Sequence, residues 1–252
     1  MKVGRALGLG QFNFKTSFVS MLLLLALIFL PSPSPASPDD GELAERIADL
    51  LGARFSPEYL SVTVKDSSAY AEMMGAVLSK IRIDTMKLDA MLISSDIPSE
   101  GGVKSLSSLI GYSRGELVLL ERDVNSYFDN NDTKGFSNLV FDFKPDGFTA
   151  KGIFSASFIF SIRIRLSAKG VLALRSDGVY LENVDIFVEN IKQPETLTKQ
   201  ILSRINPLIE WSDIPFKVEF KTISMSEDSA VMTGYPTSMD GGAVAVWEGG
   251  RR

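Results

Sequence analysis

The chain has 252 residues, with 26 Lys and Arg against 31 Asp and Glu for a net charge of −5, and it has neither histidine nor cysteine. Without histidine it lacks the commonest proton shuttle and metal ligand, and without cysteine it lacks a thiolate nucleophile, a disulfide and the attachment point of a lipid anchor. This composition argues against most hydrolytic and metal chemistry: a non-catalytic binding protein is expected, with no metal and no cofactor.

The N-terminus carries Lys2, Arg5 and Lys15, then an apolar run of 13 residues, FVSMLLLLALIFL, at 18–30. A membrane span needs about 20 apolar residues, so this length suits the core of a secretory signal. Ser34 and Ala36 place small residues at −3 and −1 of a cut after Ala36. Residues 1–36 therefore read as a signal peptide, with an uncleaved N-terminal membrane anchor as the alternative. Export would place the protein in the periplasm or at the cell surface. Cleavage removes three basic residues and no acid, leaving 23 Lys and Arg against 31 Asp and Glu, a net charge of −8. That charge repels nucleic acid and gives no global attraction to anionic lipid. Residues 37–41 read as a linker, 42–236 as one domain and 237–252 as a flexible Gly-rich tail.

ELAERIADLL at 42–51 spaces Leu43, Ile47, Leu50 and Leu51 as one helical face. Tyr59 to Lys65 alternates as a strand. Residues 67–79 are predicted as a second helix, with Tyr70, Met73, Met74, Val77 and Leu78 apolar. Ile81, Ile83, Met86 and Leu88 give a strand whose phase slips near Thr85. Residues 96–108 read as a loop, 116–120 (ELVLL) as a short strand, and Asp123 as the N-cap of a helix reaching about Asn130. Strands follow at 139–143, 148–154 and 157–166, then VLALR and 179–188, with PDG and SDG turns marking two hairpins. Behind Pro194, residues 195–210 are predicted as a helix burying Leu197, Ile201, Leu202, Ile205 and Leu208. Strands at 217–225 and 230–235 close the pattern. The fold class is α+β: a curved, mostly antiparallel sheet with a few amphipathic helices packed on it.

One hydrolase pattern occurs. GYSRG at 111–115 matches G-x-S-x-G, with Ser113 in the nucleophile position. The elbow must follow a strand, open a helix and find a histidine base. Here it precedes a strand and no histidine exists, so the glycines read as a turn. Asp84, Asp89, Asp142 and Asp185 fall at polar positions of strands and read as a solvated face. Asn131-Asp132-Thr133 is a glycosylation sequon without evident meaning.

SFIFSIRIRL at 157–166 puts Phe158, Phe160, Ile162, Ile164 and Leu166 on one face and Arg163 and Arg165 on the other. Phe141, Phe143, Phe148, Phe154 and Phe187 come from neighbouring strands. Two readings compete. One is an ordinary core packed under the helix at 195–210. The other is an apolar groove, lined by Phe141, Phe143, Phe158, Phe160, Ile162 and Ile164, that takes an acyl chain at about 0.8 kcal/mol per buried CH₂.

LLERDVNSYF (119–128) resembles the strand-to-helix element of LmeA-like phospholipid-binding proteins of bacterial envelopes. The order that follows is also similar: a strand, a PDG hairpin, a long apolar strand with a basic end, an SDG hairpin, a helix ending NPLIEW, a DIPF turn and a last hairpin. YLSVTVKD (59–66) and MMGAVLSKIRID (73–84) resemble the family's opening strand, small helix and Gly-led strand. The resemblance covers roughly 42–236. It implies an exported, non-enzymatic protein whose partner is a phospholipid or fatty-acyl ligand, in contact with a membrane surface, serving envelope assembly or maintenance.

Overall fold

The computed structural model describes residues 38–93, 106–130, 135–157, 161–215 and 218–236. The signal segment, the tail beyond Pro236, the glycosylation sequon, and Phe158 and Phe160 lie outside the described residues. The antiparallel α+β class is as the sequence implies, but the strands fall into two six-stranded sheets rather than one.

Helix α1 (Pro38–Phe55) starts within the expected linker. Proline loses nothing in a helix's first turn, and an acid such as Asp40 suits its positive end. Leu43, Ile47, Leu51 and Phe55 recur every four residues and are buried. The face lies on the first sheet: β1 (Tyr59–Lys65), β2 (Ser68–Leu78), β3 (Ile81–Leu92), β4 (Ile110–Leu120) after the short helix α2 (Leu106–Leu109), and the C-terminal β12 (Ser229–Pro236) and β11 (Val218–Met225). Ala69, Ala71 and Ala90 let α1 approach so closely that about 10 Å3 of space remains beneath Ile47 and Leu51.

The expected helix at 67–79 is instead β2. Ala69, Ala71 and Met73 point in while Tyr70 and Met74 are exposed. Ala, Met and Glu favour helices only weakly, and pairing on both sides overrides them. Two-residue turns enforce that pairing: Asp66-Ser67 and Ser79-Lys80 all have positive φ, as tight hairpins require. The phase slip near Thr85 is present. Burial switches parity there, and also on β2 around Gly75 (φ +66), while the β2–β3 register stays continuous. GYSRG lies inside β4, not in a turn before it, and Ser113 is fully buried opposite Ala90. That is no nucleophile elbow.

Helix α3 (Glu121–Asn130) begins two residues before the expected cap, so Asp123 lies in its first turn. It carries the chain to the second sheet: β5 (Phe136–Lys144), β6 (Gly147–Ser157), β7 (Ser161–Arg175) and β8 (Gly178–Val188). The short β9 (Ile191–Lys192) and β10 (Ile209–Glu210) both pair with β8. Both DG turns are hairpins as read. The expected strand at 157–166 is divided, because Ser157 ends β6 and Ser161, its partner, begins β7. VLALR is the continuation of β7 beyond an irregularity at Lys169.

Helix α4 (Glu195–Leu202) is half the expected length. Pro207 has no N–H to donate and disfavours helix at Asn206, so the chain leaves the helix before it. Ile201 and Ile205 still reach the inner face of the second sheet. Two asparagines complete that sheet. Asn125 of α3 donates Nδ2–H to the Phe141 carbonyl (2.9 Å) and accepts the Phe141 N–H (2.7 Å). Asn206 does the same for Leu181, both at 2.9 Å. Each side-chain amide stands in for a strand's peptide group. Glu121 accepts the Phe143 N–H at 2.6 Å, so one turn of α3 covers the edge of β5. A 3-10 turn (Trp211–Asp213) returns the chain to the first sheet, where Trp211 stacks on Phe220 of β11 at 4.6 Å. Among the described residues, no helix is long and apolar enough to cross a membrane.

Candidate functional site

Of the expected groove residues, Phe141 and Phe143 are fully buried on the inner face of the second sheet. The Phe141 ring lies 5.4 Å from Phe128 and 5.3 Å from Phe148. Beneath α4 the space bounded by Phe136, Phe141, Phe148, Leu181 and Ile201 is only about 20 Å3. A site for a drug-sized ligand takes about 300–1,000 Å3. Phe141 and Phe143 are therefore packed core, not groove wall. Ile164 is half-buried opposite Phe154, and Ile162 is on β7 opposite Ala156, its side chain outside the described residues. Phe187 is half-buried and shares the outward side of the sheet with Lys151.

A larger space opens between the two sheets. It is a cleft of about 600 Å3, bordered by the end of α1 (Arg54, Phe55), the β2–β3 turn (Val77, Ser79, Lys80), α3 (Tyr127, Phe128) and the segment Ile205–Asp213. Phe55, Phe128, Ile205 and Leu208 form a buried floor, and Val77 is 44% exposed at the edge. The rim is polar. Asp213 latches its two sides together: it accepts Arg54 Nη2–H at 2.7 Å on one oxygen, and Ser79 Oγ–H at 2.8 Å and N–H at 3.2 Å on the other. Ser79 Oγ in turn accepts the Glu210 N–H at 2.9 Å. Lys80 stands in the left-handed region (φ 70) at the tip of the turn and has no ion pair among the described residues.

Known protein families, characterised proteins and solved structures give no match to this chain.

Beside the cleft, Arg82 ties three elements together. It donates to both oxygens of Glu58 (2.8 and 2.9 Å) and to Asp123 of α3 (3.1 Å). Hydrogen bonding to Glu58, first, and the charges of Asp123 and Glu58 raise the Arg82 pKa above its usual value, while hydrogen bonding to Arg82 and its positive charge lower that of Glu58. Sequence reading missed this set, taking Asp123 for a cap. The clue available was an arginine between two core isoleucines, Ile81 and Ile83.

Burial alone would raise the pKa of Asp213, but the hydrogen bonds from Ser79 and Arg54 outweigh it and hold the carboxyl below its ordinary value. A carboxylate depressed in the folded state stabilises the fold above its unfolded pKa, and that contribution is lost as pH falls through the folded value. Asp213→Asn should therefore be less stable than the native chain at neutral pH. The gap should narrow once pH drops below about 4, as measured by urea unfolding across that range. A gap independent of pH would refute an ionic latch.

Proposed function

We propose that the protein is exported to the periplasm or cell surface and binds a phospholipid-like amphiphile in the cleft between its sheets, without catalysing a reaction on it. One observation carries this reading: the cleft joins an apolar floor to a cation, Lys80, that has no ion pair among the described residues, within a volume of about 600 Å3. An acyl segment would lie along Val77, Tyr127 and Leu208, and a phosphate would meet Lys80 and the Arg54 side of the rim. The charged-then-apolar N-terminus and the resemblance to LmeA-like proteins support the same conclusion. The absence of histidine from the chain supports the non-catalytic part.

Native mass spectrometry of the purified protein should find a co-purified phospholipid. A fluorescent phosphatidylglycerol analogue should bind, with Lys80→Glu weakening it about tenfold through loss of a charge-assisted contact. Val77→Asp should weaken it at least as much, and its exposure protects the fold. No lipid in the spectrum and no binding of the analogue would reject the proposal. The second reading, a partner-binding envelope protein with a filled core, would then stand, favoured by interior spaces of only about 20 and 10 Å3.

A further inference from the structure

The outward face of the second sheet gathers cations that have no ion pair among the described residues. Across four strands, Val140 pairs with Lys151, Lys151 with Ser167 and Ser167 with Phe187, so these four side chains share one row. Two positions along, Ile153 pairs with Arg165, and two further on Ser155 pairs with Arg163. Lys151, Arg163 and Arg165 are exposed, and none forms an ion pair among the described residues. Other cations have carboxylate partners: Lys144 pairs with Asp142 (3.0 Å) and Lys192 with Asp185 (2.6 Å), two acids on the next row of this same face, while Lys87 pairs with Glu116 (3.0 Å), Lys199 with Glu195 (2.7 Å) and Lys221 with Glu219 (2.9 Å) on other elements. Between the free cations lies apolar surface: Val140 at 48% exposure, with Ile153 and Phe187 half-buried. Val140, Lys151, Ile153, Arg165 and Phe187 border a shallow hollow of about 540 Å3, which Glu189 also lines.

We propose that this face docks on an anionic phospholipid bilayer. Three free cations complement an anionic surface, and the apolar side chains among them can settle at the headgroup boundary while the Lys and Arg stems reach over them to phosphate. A nucleic acid would offer the same charge but nothing for Val140 and Phe187 to bury against. The net charge of the exported chain opposes approach only weakly, because salt screens it beyond about 8 Å and the local patch decides contact. This surface is separate from the cleft, so a docked protein keeps its ligand site available for exchange with the membrane.

Vesicle flotation tests the assignment. The native protein should float with vesicles of phosphatidylcholine mixed with phosphatidylglycerol, not with phosphatidylcholine alone, and should be released by high salt. Each basic residue near such a surface is worth about fivefold in partition. The combined variant Lys151→Glu, Arg163→Glu and Arg165→Glu should therefore lose at least ~100-fold. If that variant misfolds by circular dichroism, the corresponding glutamine variant reads the same loss. Lys80→Glu, in the cleft, should leave flotation within about twofold while weakening the soluble lipid analogue. Unchanged flotation of the folded charge variant, or equal flotation with phosphatidylcholine alone, would overturn the assignment. Neither result bears on lipid binding in the cleft.

Discussion

Replacing Phe141 with alanine is expected to cost about 3–5 kcal/mol of folding stability, the range for removing a large aromatic side chain from a closed core. The ring is 2% exposed. Phe128 of α3 and Phe148 of β6 hold it from two sides, and its backbone is fixed both to β6 and to Asn125. The surroundings therefore have little freedom to collapse into the vacancy. Denaturant unfolding followed by tryptophan fluorescence gives the number. Val140→Ala, one residue away on the outward side, should stay near about 0.5 kcal/mol. A loss below about 1 kcal/mol for Phe141→Ala would mean that the ring faces an open, hydrated wall, and would restore the groove that its sequence context suggests.

Asn125→Asp is expected to cost about 2–4 kcal/mol at neutral pH. The change removes the donor to the Phe141 carbonyl and sets an anionic oxygen against it, leaving a half-buried acceptor unpaired and a charge repelled. The defect should shrink at acid pH, where a protonated carboxyl donates again. Asn206→Asp should behave alike at Leu181. Asn125→Leu and Asn206→Leu, which remove the acceptor as well, localise the pairing by hydrogen exchange: the Phe141 and Leu181 amides should each lose protection in the corresponding variant and keep it in the other. A variant within about 0.5 kcal/mol of the native chain at neutral pH would show that water serves the strand edge equally well.

Some of this was legible in the residues and some was not. The PDG and SDG turns announce β5–β6 and β7–β8: two residues make each turn, and Gly147 and Gly178 open the next strand where a Cβ would collide with neighbouring backbone. The turns at Asp66-Ser67, Ser79-Lys80 and Glu189-Asn190 adopt positive φ without any glycine. They carry no such mark, so β2 passed for a helix and β9 went unseen. Pro207 was a readable stop for α4, overridden by an apolar spacing that runs on to Leu208. Phe141, Phe143, Phe148 and Phe154 lie on a sheet as read, but composition does not tell a wall from a core. That depends on whether α3 and α4 fill the space above it. The cleft was invisible for a related reason. Arg54, Ser79 and Asp213 stand far apart in the chain and meet only through tertiary folding.

The seat of β12 between β4 and β11 governs when the molecule can finish folding. Ser229 pairs with Leu120 across 109 positions of chain, an interval that holds the whole second sheet. Closing so long a loop is entropically slow, and folds dominated by such distant pairings assemble late. Until the last strand arrives, β4 presents an unpaired, apolar hydrogen-bonding edge, a template for association with other chains. A chain emerging from its N-terminus, or one truncated before Val218, carries that edge uncovered. Only chains that carry the β11–β12 hairpin can cover that edge.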